Sequence, residues 1–572
     1  MNPGRGASQV EVGAIRRARR TYDVAILGGG LAGLTLAIQL KRARPQTDVV
    51  VLEKREGPAP EAAFKVGEST VPSGAHYFAE IVGMRDHLEL EQLIKCGLRF
   101  FSPAGDNADI TRRLEYGPPL YPPHDNYQID RGRFENELAT RAREQGVDLL
   151  QGARVGDVEL GGERHAVAFT ELGREGSLEA RWVVDATGRA SLLERKLDLS
   201  EEIPHTINAS WLRLAGGLDL EQWGAADEAW MGRMTEPGIR QFSTNHLLGE
   251  GYWVWLIALS SGAISIGLCA DPRWHAWEEM NELDRLMSWF DSHEPQLAAS
   301  LRPRLDDVQD FLRVQDFAYG VQRVLSPERW CLVGEAGAFA DPFYSPGSDF
   351  IGYSNSFSCD VIRRDLDGEE VAERIEWFNS FYLRTFRKTI AFYTDQYQIF
   401  GNPQVTTVKL AWDGFLNHWA PTLLMAQNRI ADLEFMRSVD EDVERGYRLN
   451  ERVQEVLRAW HRAENPPLEG KMTAAALVKP FLEVLVGMTQ EYDEEALRAA
   501  CAHHADSAEG FAVQIFHRAA RALGHELDES TPVDPYAVGP DPERWERDGV
   551  FARGLTLEQA RARAEGVETL WT

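Results

Sequence analysis

The chain has 572 residues, a net charge of −28, and a composition that is 44% hydrophobic and 26% charged. That is enough for several structural units with full cores. The strong negative charge argues against a nucleic-acid partner, whose phosphates would be repelled. No uninterrupted apolar run approaches the length that spans a membrane. Five widely spaced cysteines without a CxxC argue against a zinc site or a disulfide framework, and fit a reducing cytoplasm.

In chain order, residues 1–20, with RRARR at 16–20, read as a flexible basic arm. Residues 22–54 read as a βαβ unit: DVAIL as a buried strand, LAGLTLAIQLKRA as an amphipathic helix, DVVVLE as a second buried strand. GRFENELATRAREQG (132–146) is a helix with charges on its outer face. Short alternating segments from 153 to 184 suggest a meander leading into WVVDATGR. The strand-like aromatic run at about 205–270 suggests an antiparallel sheet. WCLVGEAGAFADPFYSPGSDF (330–350) reads as a strand, a small-residue turn and a loop that opens a helix at Gly347. From about 370 the pattern is helical, interrupted by the Pro-rich turn region STPVDPYAVGPDPE before a last short helix.

The glycines of GGGLAG carry the first chemical signal. Gly28, Gly30 and Gly33 stand in GxGxxG spacing between strand and helix. Such glycines permit a tight turn, backbone approach to a pyrophosphate, and close helix–strand packing. Glu53, at the tip of the second strand, is placed to accept ribose hydroxyls. DATGR (185–189) has the strand–turn pattern of FAD enzymes, and a helix opening at Gly347 can face the electron-rich end of a reduced flavin. No second GxGxxG in strand context appears, which implies one FAD site and no separate NADPH domain.

Together these segments resemble the flavin-dependent halogenases and, more broadly, flavin monooxygenases of the p-hydroxybenzoate hydroxylase fold. The resemblance rests on KVGESTVP (65–72), YQIDRGRFENEL (127–138), GYWVWLIAL (251–259), DPFYSPG (341–347) and IKCGLRFF (94–101). The third resembles the WxWxIP signature through Trp253, Trp255 and Ile257, with Ala258 in place of proline. Tyr344 stands where tryptophan halogenases carry glutamate, which speaks against free tryptophan as the substrate.

The resemblance implies an α/β protein. An FAD-binding Rossmann-like domain and an antiparallel-sheet substrate domain interleave over 21–400, followed by a mainly helical C-terminal region, 401–572. It implies FAD used as FADH2, O2 and a halide, with no metal. A separate flavin reductase supplies FADH2, and an electron-rich aromatic, free or carrier-tethered, is halogenated in secondary metabolism. The FAD contacts expected are Gly28, Gly30, Gly33, Glu53, Arg131 and Asp185, with Ser345 and Gly347 at the flavin's reactive edge. Trp253, Trp255 and Tyr344 line the path to the substrate. Lys95 delivers the halogen, as an ammonium that polarises hypohalous acid or as an amine that traps it. Either role needs desolvation that lowers its pKa, to which Leu93, Leu98, Phe100 and Phe101 contribute.

Other readings stay open. Pro346 has no N–H, so a halide beside the flavin loses a donor, and a hydroxylase on the same frame becomes an alternative. A flavoprotein maturation factor gripping a protein partner with its helical C-terminus is a further one, whereas a lipid reductase of this fold lacks support, with no lipid-length apolar tunnel signal in the sequence. His503–His504 reads as a solvated helix or turn, and Asp341 as a turn former or, with Asp349, a flavin contact.

Overall fold

The computed structural model describes residues 21–62, 65–122, 124–474 and 478–571. The basic arm expected at 1–20 lies outside the described residues.

The first sheet grows from the β-branched runs, which are buried on both faces as parallel strands require. The strand Thr21–Leu27 pairs in parallel with Val49–Glu53 on one side and with the end of Arg174–Asp185 on the other. Trp330–Leu332 and Asp148–Gln151 extend this core outward, also in parallel. Arg174–Asp185 is long enough to serve two pairings. Its first half runs antiparallel to His165–Glu171, which pairs with Ala153–Glu159, and its second half enters the parallel core. The expected meander is therefore continuous with the nucleotide-binding sheet. Helices Leu31–Ala43, Arg131–Glu144 and Gly347–Leu366 pack together beside this sheet. Arg131–Glu144 starts at Asp130, whose carboxylate accepts the Gly132 and Arg133 N–H groups, and ends on Arg141 and Arg143, the charges that suit each end of the helix dipole.

The second sheet is wider than the stretch 205–270. Its order is Val308–Val314, Asn208–Leu214, Ile264–Ala270, Tyr252–Ala258, Thr244–Gly249, Leu98–Phe101, Glu115–Tyr116, Met472–Thr473. Leu98–Phe101, which directly follows Lys95 and Gly97, lies parallel to Thr244–Gly249. Strand alternation then splits its aromatics: Phe100 faces the main core, while Phe101 joins a separate core behind the sheet. Phe101 therefore does not belong with the expected apolar neighbours of Lys95.

Beyond residue 400 the chain is mostly helical, and its helices pack on those before it. Leu433–Ala463 lies along Glu494–Ala522 and also touches Ala372–Ile390. Both long helices begin on an aspartate cap, Asp432 to the Phe435 N–H and Asp493 to the Ala496 N–H. The expected solvated histidine pair divides at this interface. His503 is exposed and bonds Glu483, whereas His504 is buried against Phe415 and Trp419. Adjacent helical residues point about 100° apart, so one can face water and the other the core. Among the described residues, no helix is long and apolar enough to cross a membrane.

Candidate active site

Three glycines of the βαβ turn behave differently. At Gly28, φ is +108°, and a Cβ would lie 2.4 Å from the Ala186 carbonyl oxygen. A Cβ on Gly33 would lie 2.1 Å from the Gly28 carbonyl oxygen. Both are glycine for the fold's sake. A Cβ on Gly30 would meet only the Lys65 ammonium, at 3.4 Å. The helix that Gly30 opens has no side-chain cap, so its first N–H groups face open space. This is a cradle for an anion, and Lys65, which the sequence did not single out, adds a cation above it. Lys65 is held there by Glu135, which also takes Arg131.

Glu53 sits under the same turn, accepting the Gly29 N–H at 2.7 Å and the Arg55 N–H at 2.8 Å. Arg131 donates to the Val66 carbonyl and to Glu135, but its buried Nε has no partner. Asp185 departs from expectation. Its carboxylate is fully buried and already accepts the Thr187 N–H and hydroxyl and the Leu193 N–H. It shapes the DATGR turn. Glu335, at the carboxyl end of the neighbouring parallel strand, is partly exposed where ligands of such sheets bind. A second helix, Gly347–Leu366, also starts without a side-chain cap, and a Cβ on Gly347 would meet nothing within 4 Å. Two uncapped helix starts, open glycines and an orphaned arginine donor fit FAD. Gly28, Gly30, Gly33, Glu53, Lys65 and Arg131 would hold its nucleotide part, and the Gly347 turn its flavin end.

Lys95 is 1% exposed. Its backbone N–H bonds the Asn126 carbonyl, which fixes the chain where it leaves the short strand Leu93–Ile94. The ammonium donates to the Ser69 hydroxyl at 2.8 Å and to the Thr70 carbonyl at 2.5 Å. Ser345 also donates to the Ser69 hydroxyl, at 3.1 Å. With both lone pairs of Ser69 so engaged, its own proton goes to Thr244, 2.9 Å away. The structure thus brings Lys95 and Ser345 together on one hydroxyl, 26 and 276 residues away in sequence. Burial pushes the Lys95 amine down to about 7. Asp349, its electrostatic partner, accepts the Gly74 N–H and is pushed by burial up to about 8. Burial also drives His124 and His246 down to about 3 and His418 to about 4, so these neighbours add no charge at neutral pH.

The wall of this site is aromatic. Trp253 and Trp255 are buried, with ring centres 5.7 Å apart, and Trp253 packs edge-on against Phe343 at 5.2 Å. Phe100 stacks on His246 at 4.4 Å. Trp253 donates to the Tyr397 hydroxyl, which donates to Asp341; Asp341 also meets His205 at 2.7 Å and accepts the Phe343 N–H. Asp341 therefore anchors the DPFYSPG loop in both directions. Tyr344 is buried and donates to Asp413 at 2.6 Å.

Residues 21–262 match the FAD binding domain family. The flavin-dependent halogenase chlA of Dictyostelium discoideum is 26% identical over 391 residues, 63% of this chain and 63% of that protein. The 1H-pyrrole-2-carbonyl-(peptidyl-carrier protein) brominase of Pseudoalteromonas luteoviolacea is 24% identical over 371 residues, 64% of this chain and 81% of that protein. Over about two thirds of its length the chain is similar to flavin-dependent halogenases. It spans less than two thirds of the Dictyostelium protein's length. The fold is shared with the myxobacterial chondrochloren halogenase CndH, with a TM-score of 0.52, 23% identity, and coverage of 66% of this chain and 83% of that one. It is also shared with halogenase PltM, with a TM-score of 0.60, 17% identity, and coverage of 86% and 96%.

Sequence reasoning missed Ser69, although it lies inside KVGESTVP. A serine between a glutamate and a threonine carries no distinguishing local signal. Tyr397, His205 and Asp413 were equally silent, because the site residues they bond, Trp253, Asp341 and Tyr344, are between 56 and 144 residues away.

Proposed function

We propose that this protein is an FAD-dependent halogenase that modifies an electron-rich aromatic, with Lys95 delivering the halogen. The observation that carries this reading is a buried, unusually acidic lysine that shares the Ser69 hydroxyl with Ser345, beside an open glycine at a helix start. Bound FADH2 would supply the electrons that reduce O2 to the peroxide level, the oxidant that halide requires. The remaining work belongs to the chain. Near its pKa, Lys95 is present in both protonation states at neutral pH. As an ammonium it donates to the oxygen of hypohalous acid and polarises the halogen. As an amine it takes the halogen, forming an N–halogen bond and releasing water. Trp253, Trp255 and Phe343 keep water from this path and offer flat faces to an aromatic ring.

A separate reductase supplies FADH2, since one nucleotide cradle serves FAD. Buried free thiols at all five cysteines support a reducing, cytoplasmic setting. The substrate is a free aromatic or one tethered to a carrier protein; the Pseudoalteromonas relative is named for a carrier-bound pyrrole. The test is mass spectrometry of turnover products with FADH2 in chloride, in bromide and in halide-free buffer. Halogen-dependent mass shifts are expected.

One observation favours hydroxylation as the second reading. Pro346 lacks an N–H, and the Ser345 N–H is already bonded to the Pro342 carbonyl. Only the Gly347 and Ser348 N–H groups then remain at this turn for a halide. Oxygen from labelled O2 in the product, without halogen even at high halide, would establish hydroxylation instead.

A further inference from the structure

The helical region after residue 400 reaches the Lys95 cluster through one buried ion pair. Helix Pro403–Asn417 places Lys409 and Asp413 one turn apart, both wholly buried, with Nζ 2.6 Å from Oδ2. Lys409 also donates to the Phe392 carbonyl at 2.8 Å and to Gln454 at 2.9 Å. All three ammonium protons are therefore used, and this lysine has none left for a ligand. Asp413 accepts Lys409 and the Tyr344 hydroxyl on Oδ2, and the Gln454 amide on Oδ1, each at 2.6 Å. Burial pushes the Asp413 carboxyl up and the Lys409 amine down, while their contact opposes both.

Tyr344 immediately precedes Ser345, whose φ of +58° lies in the left-handed region that a residue with a Cβ seldom enters. Something must hold that conformation, because it aims the Ser345 hydroxyl at Ser69 and hence at Lys95. The Tyr344 ring packs beside Phe343 and Tyr393, but ring packing sets no direction as a hydroxyl bond to a fixed carboxylate does. We propose that the Lys409–Asp413 pair is a positioning device. It grips Tyr344, and through Tyr344 keeps the left-handed Ser345 in register with Ser69 and Lys95. The inference rests on the reading of Lys95 as the delivering residue.

Tyr344→Phe removes only the hydroxyl and leaves the ion pair and the ring in place. A second variant, Lys409→Met with Asp413→Leu, removes both charges together, so no buried charge is left unpaired. Two readouts need no turnover: hydrogen exchange of residues 342–347, and acetylation of Lys95 by limiting acetic anhydride, followed by peptide mass. Both variants should speed loop exchange about tenfold, the factor for losing a hydrogen bond to a charged acceptor. Both should label Lys95 several-fold faster. In turnover, product per FADH2 consumed should fall about tenfold. Unchanged loop exchange and Lys95 labelling in both variants would overturn the proposal. A loop response in a protein whose wild type makes no halogenated product would support positioning and refute halogenation.

Discussion

Lys95 and Lys409 are both lysines with essentially no exposed surface, yet the protein treats them in opposite ways. Lys409 has a carboxylate at 2.6 Å and two further acceptors, so all its protons are spent inside the scaffold. Lys95 bonds only a hydroxyl and a carbonyl, both neutral, and its acidic partner Asp349 is itself driven toward the protonated form. A buried amine without a formed counter-ion loses its proton near neutrality, whereas a directly paired one holds a structure together. The two lysines differ in the partners they are given, not in burial.

Breaking each lysine should therefore have different consequences. Lys409→Met leaves Asp413 buried without its cation and should cost about 3–5 kcal/mol in urea unfolding. Lys95→Met removes a poorly compensated amine and should not destabilise the fold at pH 7. Similar losses in both variants would erase the distinction.

The next effect is in pH dependence. The folded protein holds Lys95 at about 7, against 10.5 for an ordinary lysine, so above pH 7 the unfolded chain binds more protons. Stability contributed by this group therefore rises with pH between about 7 and 10.5 and is absent below. Wild type should gain about 2 kcal/mol relative to Lys95→Met between pH 7 and pH 9. Lys409→Met offers the control, since it keeps Lys95 and should preserve that pH response.

The smallest effect concerns the halide that the proposed chemistry requires. Pro346→Ala restores one backbone N–H beside the uncapped start of helix Gly347–Leu366. A bond to a charged acceptor contributes at least about 1.5 kcal/mol, so the halide concentration for half-maximal turnover should drop roughly tenfold. No change would mean that the anion does not use this turn.

The nucleotide cradle was legible because its signals are local. Gly28, Gly30, Gly33 and Glu53 lie within one βαβ unit, and the helix start at Gly347 follows from a proline and glycine side by side. Lys95 stood out only through the short frame IKCGLRFF. The environment that matters for it was hidden, because Ser69, Thr244, and the pair Ser345 and Asp349 come from three other segments. The turn-holding bonds of Asp185 were not legible, because a carboxylate after a buried strand looks the same whether it meets a ligand or its own turn. Phe101 was misplaced for a simpler reason: a run of two phenylalanines on a strand must send one to each face.

The most direct test of Lys95 as the delivering residue is the ratio of aromatic product to FADH2 consumed in Lys95→Met, measured with peroxide release. FADH2 oxidation and peroxide should continue at wild-type rates while halogenated product falls to background. A wild-type product ratio in that variant would make Lys95 a packing residue and contradict the proposed chemistry.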